Sequence, residues 1–149
     1  MVLHGQSWRL LSATFLHLNG IHLIGNGIGL LCFGPMVESA LGRMKFIAYY
    51  LCAGVVGHIA LLQIHPGKIG FGSSGAVYAL EGAAIALVVF SKTGEPKFDW
   101  IRAIVFVTSA FAIMNPSHLA GFAAGFATFA ISELLSTDSD PNAQTERII

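Results

Sequence analysis

Charged side chains are scarce in this sequence and absent from long parts of it. Only 11% of its 149 residues are Asp, Glu, Lys or Arg, whereas soluble domains carry about 25%. The runs 10–37, 46–67 and 103–132 contain none of these four residue types. Because crossing a bilayer takes about 20 mainly apolar residues, these runs exclude an ordinary soluble domain and predict an integral, multi-pass membrane protein.

The sequence also carries no net charge and only two cysteines, and its first residues do not resemble a leader sequence. Eight basic residues balance eight acidic ones, so there is no basic surplus to bind a nucleic-acid backbone, and no nucleic-acid partner is expected. Cys32 and Cys52 lie in apolar runs without metal or redox spacing, so we interpret both as packing residues. Residues 1–11 lack the basic stretch and apolar core of a secretory signal peptide.

The apolar sequence that is present predicts an all-α membrane protein, a polytopic helical bundle. Residues 1–20 are predicted to form an outer loop or interfacial segment, and residues 136–149 a polar cytoplasmic tail. Residues 1–135 thus form one transmembrane domain. Its five predicted spans are about 21–40, 44–64, 74–90, 100–114 and 118–135.

The basic residues indicate the orientation of these spans. If the turn after the first span is cytoplasmic, only Arg9 and Lys68 lie outside. The other six basic residues are then cytoplasmic, namely Arg43, Lys45, Lys92, Lys97, Arg102 and Arg147. We therefore expect a multi-pass protein of a cell (inner) membrane, with the N-terminal segment on the extracytoplasmic side.

Three groups of polar residues lie near the outer ends of predicted spans. His22 and Asn26 are four residues apart and share one helix face, Gly72-Ser73-Ser74-Gly75 opens the third span, and Ser117-His118 opens the fifth. Taken singly, each group has a structural explanation as a helix cap or an interhelical hydrogen bond. Together, a hydroxyl, an imidazole and an amide at one depth are the parts of a hydrolytic site.

Stripes of small residues on two spans predict how these groups meet. Small residues let helix backbones approach closely, and at 100° per residue Gly125 lies about 20° from His118 on its helix. Packing the two stripes together would therefore bring the Ser74 hydroxyl to the His118 ring. The stripes are Gly75, Ala79, Gly82, Ala83 and Ala86 below Ser74, and Gly121, Ala124, Gly125 and Thr128 below His118.

No acidic residue completes a catalytic triad, so we predict a dyad. Ser74 would be the nucleophile, and His118 would take its proton and later protonate the leaving amine. The Ser74 backbone N–H, Asn26 and His22 are the candidate oxyanion donors. Glu81 lies about 10 Å deeper than Ser74; it is either a protonated carboxyl bonded to a neighbouring helix or support for a water network beneath the dyad.

These residues together resemble the rhomboid family of intramembrane serine proteases over about residues 8–135. In that resemblance the nucleophile is Ser74 rather than Ser73, and Tyr78 packs against the catalytic histidine. Gly72, Gly75, Gly121 and Gly125 match the family's small positions around the dyad. The motifs are Trp8-Arg9, His17-x4-His22-x3-Asn26, Gly34-x3-Glu38-x3-Gly42-x3-Phe46, Gly72-x-Ser74-Gly75 and His118-x2-Gly121-x3-Gly125.

The resemblance implies an endopeptidase that cleaves transmembrane substrates near the outer ends of their membrane segments, at small, helix-destabilising residues. Water would reach the site through a polar cavity open to the outside, and no metal or cofactor is implied. The family core has six spans, and the span that precedes the Trp-Arg pair is absent here, so we expect a fragment or an internal start at Met1.

Two alternatives use the same residues differently. A rhomboid-like pseudoprotease, or a truncated and inactive form, would bind transmembrane clients without cleaving them. A small channel or carrier would be lined by His22, Asn26 and Glu81. Of the other histidines, His58 is expected to be buried and hydrogen-bonded, whereas His4 and His65 are expected to lie in loops.

Overall fold

A computed structural model describes residues 5–68, 70–90 and 115–138, and all regular structure within these ranges is helical. The predicted all-α class is therefore confirmed. A short 3-10 turn, Ala13–Phe15, follows the first helix. The five helices are α1 Trp8–Ser12, α2 Gly20–Leu41, α3 Arg43–Ile64, α4 Ser74–Phe90 and α5 Pro116–Asp138.

The observed bounds of α2, α3 and α4 agree with the predicted spans to within one residue. The last helix begins earlier than predicted, at Pro116, and continues to Asp138. Proline fits the first helical position because its missing N–H would have no partner there. The Asn115 side chain caps this start by accepting a hydrogen bond from the Ser117 N–H at 2.9 Å. The predicted span 100–114 lies outside the described residues.

Two of the described helices, α2 and α3, have the length and apolar composition needed to cross a membrane. Each has 22 residues, with mean hydropathies of 1.4 and 1.7, while the apolar α4 is shorter. Only 33% of the apolar window in α2 is buried inside the protein. Its outward face carries large apolar side chains that suit contact with lipid, namely Ile21, Leu23, Ile24, Ile28 and Leu31.

Helix α4 lies at the centre of the bundle, with α2, α3 and α5 packed against it. Nearly all of its side chains are buried, including Leu80 and Glu81, which are 0% and 2% exposed. On α2, Phe33 and Val37 face the same core and are fully buried. The residues that begin α4 are thereby held at a fixed place between three helices.

The predicted contact between small residues of α4 and α5 is present. A Cβ atom added at Gly121 would collide with the carbonyl oxygen of Gly75, and one added at Gly125 would collide with that of Ala79. In the other direction, a Cβ at Gly82 would collide with the carbonyl oxygen of Phe122. The two backbones therefore touch along the helices, which only glycine at these positions permits.

Replacing Gly125 by valine is expected to lower the free energy of unfolding by about 3 kcal/mol, at the upper end of the range for overpacked cores. The loss is large because the added side chain would collide with the backbone carbonyl of Ala79, which cannot move aside as a side chain could. The measurement is the thermal unfolding midpoint in detergent. Gly25→Val is the matched control, since Gly25 is an exposed residue of α2 with nothing within 4 Å of an added Cβ. Equal midpoints for the two variants would contradict the tight α4–α5 contact.

The N-terminal segment, predicted as an outer loop or interfacial segment, contains α1 and the 3-10 turn and is fastened to the bundle. Thr14 is 1% exposed, and a Cβ at Gly54 of α3 would lie 2.8 Å from its hydroxyl oxygen. The Gly72 N–H donates a hydrogen bond to the Ala13 carbonyl at 3.0 Å. This bond ties the segment to the loop that leads into Ser74.

Candidate active site

The side chains of Ser74 and His118 meet at the first turns of α4 and α5. The His118 Nε2 atom lies 2.8 Å from the Ser74 Oγ atom, a hydrogen-bond distance. The close backbone packing of Gly121 against Gly75, one turn or less away, brings the two helix starts together. The structure therefore brings together the two predicted catalytic side chains; their catalytic roles stay predictions.

The imidazole of His118 is held from one side by an aromatic ring. The Tyr78 ring stacks on it with 4.4 Å between the centroids and 15° between the planes. Tyr78 lies one helical turn below Ser74, so both side chains point to the same side of α4. The ring thus fixes the plane of the imidazole beside the Ser74 hydroxyl, as the resemblance implied.

Gly72 brings the loop before Ser74 against the two polar residues of α2. Its φ of +99° is a conformation that glycine adopts readily and other residues rarely do. A Cβ at this position would lie 2.6 Å from His22 Cε1 and 3.3 Å from Asn26 Nδ2. His22 and Asn26 therefore flank the chain two residues before Ser74.

Three groups at this place have the donors that an oxyanion requires. The Asn26 side chain is 8% exposed, and its buried Nδ2 atom has no hydrogen-bond partner within the described residues. The Ser74 N–H belongs to the first turn of α4, where backbone donors have no partner inside the helix. The ring of His22 lies beside the same loop. The backbone N–H of His22 is already occupied, because it donates a hydrogen bond to the Asn19 side chain at 2.9 Å.

A cavity of about 230 Å³ adjoins the dyad. Ser74, His118 and His22 line it, together with residues of α3 and of the loops that precede α4 and α5. This cavity gives a reacting group access to the Ser74 hydroxyl. Glu81 is not among its lining residues.

The two adjacent serines have different surroundings. The Ser73 side chain is hydrogen-bonded to Tyr50 of α3, whereas Ser74 faces His118. The contact with Tyr50 was not predicted, since nothing in the sequence pairs a tyrosine in the middle of α3 with the loop before α4. It distinguishes Ser73 from Ser74, the predicted nucleophile.

The expectation for His58 was correct on burial and wrong on hydrogen bonding. The residue is 6% exposed, but neither ring nitrogen has a hydrogen-bond partner in the part of the chain that the structure describes. The ring lines the cavity beside Ser74 instead. The signal that could have found it is the neighbouring Gly57, whose close approach to Gly75 marks the face of α3 turned toward the site.

The residues described supply no cluster for a metal ion. Within residues 5–68, 70–90 and 115–138, no three His, Cys, Asp or Glu side chains are grouped to hold one. The chemistry of the site as described is that of a serine hydroxyl, an imidazole and hydrogen-bond donors.

The chain is similar to known proteins over most of its length. A family model described as the Rhomboid domain matches residues 4–133. The chain is 28% identical over 133 residues to the YdcA protein of Bacillus subtilis (84% of this chain, 67% of that protein). It is 30% identical over 136 residues to RHOMBOID-like protein 5 of Arabidopsis thaliana (85% and 44%). Rhomboid protease GluP of Bacillus subtilis is 29% identical over 133 residues (85% and 26%).

The chain spans less than half the length of the last two relatives. The family match nevertheless covers most of this chain, including all of the motifs assembled around Ser74 and His118. Proteins of this family are embedded in membranes, in agreement with the long apolar helices α2 and α3. The chain belongs to the rhomboid family.

Proposed function

We propose that this protein is an intramembrane serine endopeptidase that hydrolyses peptide bonds in or near the transmembrane segments of membrane-protein substrates. The observation that carries the proposal is the 2.8 Å contact between Ser74 Oγ and His118 Nε2. Support also comes from GluP, a relative that is named as a protease. A nucleophile bonded to a base is the arrangement that acyl transfer requires.

In the proposed acylation step, Ser74 Oγ attacks the carbonyl carbon of the scissile bond while His118 Nε2 accepts the hydroxyl proton. The carbonyl oxygen takes up the negative charge, which the Ser74 N–H, Asn26 and His22 stabilise. His118 then donates the proton to the amide nitrogen as the C–N bond breaks. The amine product leaves, and the other half of the substrate stays on Ser74 as an ester.

In the proposed deacylation step, a water molecule in the cavity attacks the ester carbon and His118 accepts its proton. The same donors stabilise the second oxyanion. When this intermediate collapses, the proton returns to Ser74 Oγ and a carboxylic acid is released. His118 is neutral again after each step, and the Ser74 hydroxyl is restored after the second, so the proton balance of the cycle closes without an acidic partner for His118.

The proposed substrates are helical membrane segments that unwind locally. A carbonyl inside a transmembrane helix is hydrogen-bonded within the helix and covered by side chains. It can reach Ser74 only where the helix opens, which small and helix-destabilising residues favour. We place this reaction at the extracytoplasmic side of a cell membrane, because the basic residues favour that orientation.

The test is labelling with a fluorophosphonate, which reacts with activated serine hydroxyls. Wild-type protein and Ser73→Ala in detergent are expected to be labelled, whereas Ser74→Ala is not. The two serines are adjacent and both buried, which makes Ser73→Ala a matched control. Absence of labelling in well-folded wild-type protein would contradict the proposal and support binding of transmembrane clients without cleavage.

A further inference from the structure

Tyr50 of α3 contacts the start of α4, and the mechanism above does not use it. Its ring packs against a cluster of small side chains that includes Ala76 and Ala79 of α4. The Phe46 ring, one turn earlier on α3, stacks on it with 6.3 Å between the centroids and 29° between the planes. The ring is thus fixed from two sides, and its hydroxyl reaches Ser73, to which it is hydrogen-bonded.

Ser73 is the cap residue of α4. Its carbonyl accepts a hydrogen bond from the Val77 N–H at 2.9 Å, the first bond of the helix. A serine at a helix cap commonly turns its hydroxyl toward the N–H groups of its own helix. The Ser73 hydroxyl is bonded to Tyr50 of another helix. The residue before the nucleophile is therefore tied to α3 as well as to α4.

The peptide group between Ser73 and Ser74 carries one of the proposed oxyanion donors. A trans peptide group is planar, so its carbonyl and its N–H point in opposite directions. The bond to Val77 directs the carbonyl along α4, and the Ser74 N–H therefore points out of the start of the helix. Rotation of this peptide group would turn the N–H away from a developing oxyanion.

The residue before Ser73 does little to restrict such a rotation. Gly72 has a φ of +99°, and glycine limits the backbone torsions less than any other residue. The Gly72 N–H is held by its hydrogen bond to the Ala13 carbonyl at 3.0 Å. The next fixed point along the chain is the Ser73 side chain at its bond to Tyr50.

We propose that Tyr50 is a positioning residue that, through Ser73, holds the Ser74 N–H toward the oxyanion of the transition state. The inference rests on the proposed proteolytic function and adds a residue that raises its rate. Tyr50 acts through Ser73 and does not touch the reacting atoms. Because the donor serves the transition state rather than the bound substrate, loss of its alignment lowers kcat with KM unchanged.

Tyr50→Phe tests this role, because it keeps the ring and removes the hydroxyl. For a transmembrane substrate in detergent, kcat is expected to fall about three- to tenfold, the rate equivalent of one neutral hydrogen bond. Tyr49→Phe is the matched control, since the adjacent Tyr49 hydroxyl donates to the Ala79 carbonyl at 3.2 Å, deeper in α4. This control is expected to lower the thermal unfolding midpoint and keep the wild-type kcat. A wild-type kcat in Tyr50→Phe, or equal losses of kcat in both variants, overturns the inference.

Ser73→Ala removes the same hydrogen bond from the other side. Its kcat is expected to fall as much as that of Tyr50→Phe, and the double variant to be no slower than either single variant, because all three lack one bond. Losses that multiply in the double variant would show that this bond does not carry the effect, and would overturn the inference. If Tyr50→Phe does not fold, a wild-type kcat in Ser73→Ala overturns it alone.

The rate of fluorophosphonate labelling separates this inference from the proposed function. Both Tyr50→Phe and Ser73→Ala are expected to be labelled at Ser74, but more slowly than the wild-type protein, because this reaction also places negative charge on an oxygen. Wild-type protein that is folded and not labelled would overturn the proposed protease activity itself. Wild-type protein that is labelled no faster than the two variants would leave the protease in place and overturn only the role of Tyr50.

Discussion

Replacing His118 by alanine is expected to lower the rate of substrate cleavage by a factor of about 10⁴ or more. The His118 Nε2 atom, 2.8 Å from Ser74 Oγ, is the acceptor that would allow the hydroxyl to attack as an alkoxide-like nucleophile. Without it the serine keeps its proton, and the leaving amine has no acid to protonate it. Losses of this order follow removal of a single member of a nucleophile–base pair in serine hydrolases.

The two members of the dyad are expected to act as one unit. The double variant Ser74→Ala/His118→Ala should cleave no more slowly than either single variant, because each single change already removes the whole mechanism. The measurement is cleavage of a transmembrane substrate in detergent, with circular dichroism to verify folding and His65→Ala as a histidine control away from the site. Cleavage by His118→Ala above about a hundredth of the wild-type rate would show that another base serves Ser74.

Much of this architecture could be predicted from the sequence because the membrane limits what a chain can do. Charge-free runs predict where helices cross, and polar or helix-breaking residues mark their limits, as Pro116 does at the start of α5. The meeting of Ser74 and His118 was predictable because glycine allows two backbones to touch along a defined face. Gly121 and Gly125 fix the relative rotation and depth of α4 and α5, and the two helix starts follow from it.

The parts that could not be predicted depend on the rotation of α3 and on the path of a loop. Helix α3 is apolar on most sides, so its pattern does not distinguish a lipid-facing residue from one that faces the site. The sequence therefore could not show that His58 lines the cavity or that Tyr50 bonds to Ser73. Gly72 has a φ of +99°, and its N–H donates a hydrogen bond to the Ala13 carbonyl. Both features depend on tertiary contacts of the loop, which the spacing of residues in the sequence does not reveal.

Replacing Asn26 by alanine is expected to lower kcat by about 10²–10³-fold while leaving the fold intact. The buried Nδ2 atom lies next to Gly72 and has no partner within the described residues, so removal of the amide breaks no hydrogen bond seen there in the folded protein. In the proposed mechanism the transition state does lose one, because the developing oxyanion accepts a hydrogen bond from this donor. Removal of one oxyanion-hole donor has an effect of this size in serine hydrolases.

Asn19→Ala, at the start of the same helix, is expected to lower stability rather than kcat. The Asn19 side chain caps α2 by accepting a hydrogen bond from the His22 N–H at 2.9 Å, so its loss is expected to lower the free energy of unfolding by about 1 kcal/mol. Thermal unfolding and kcat, measured for both variants, separate the two roles. If Asn26→Ala unfolded at lower temperature and kept the wild-type kcat, the amide would be an interhelical bonding group. The proposed oxyanion site would then consist of His22 and the Ser74 N–H.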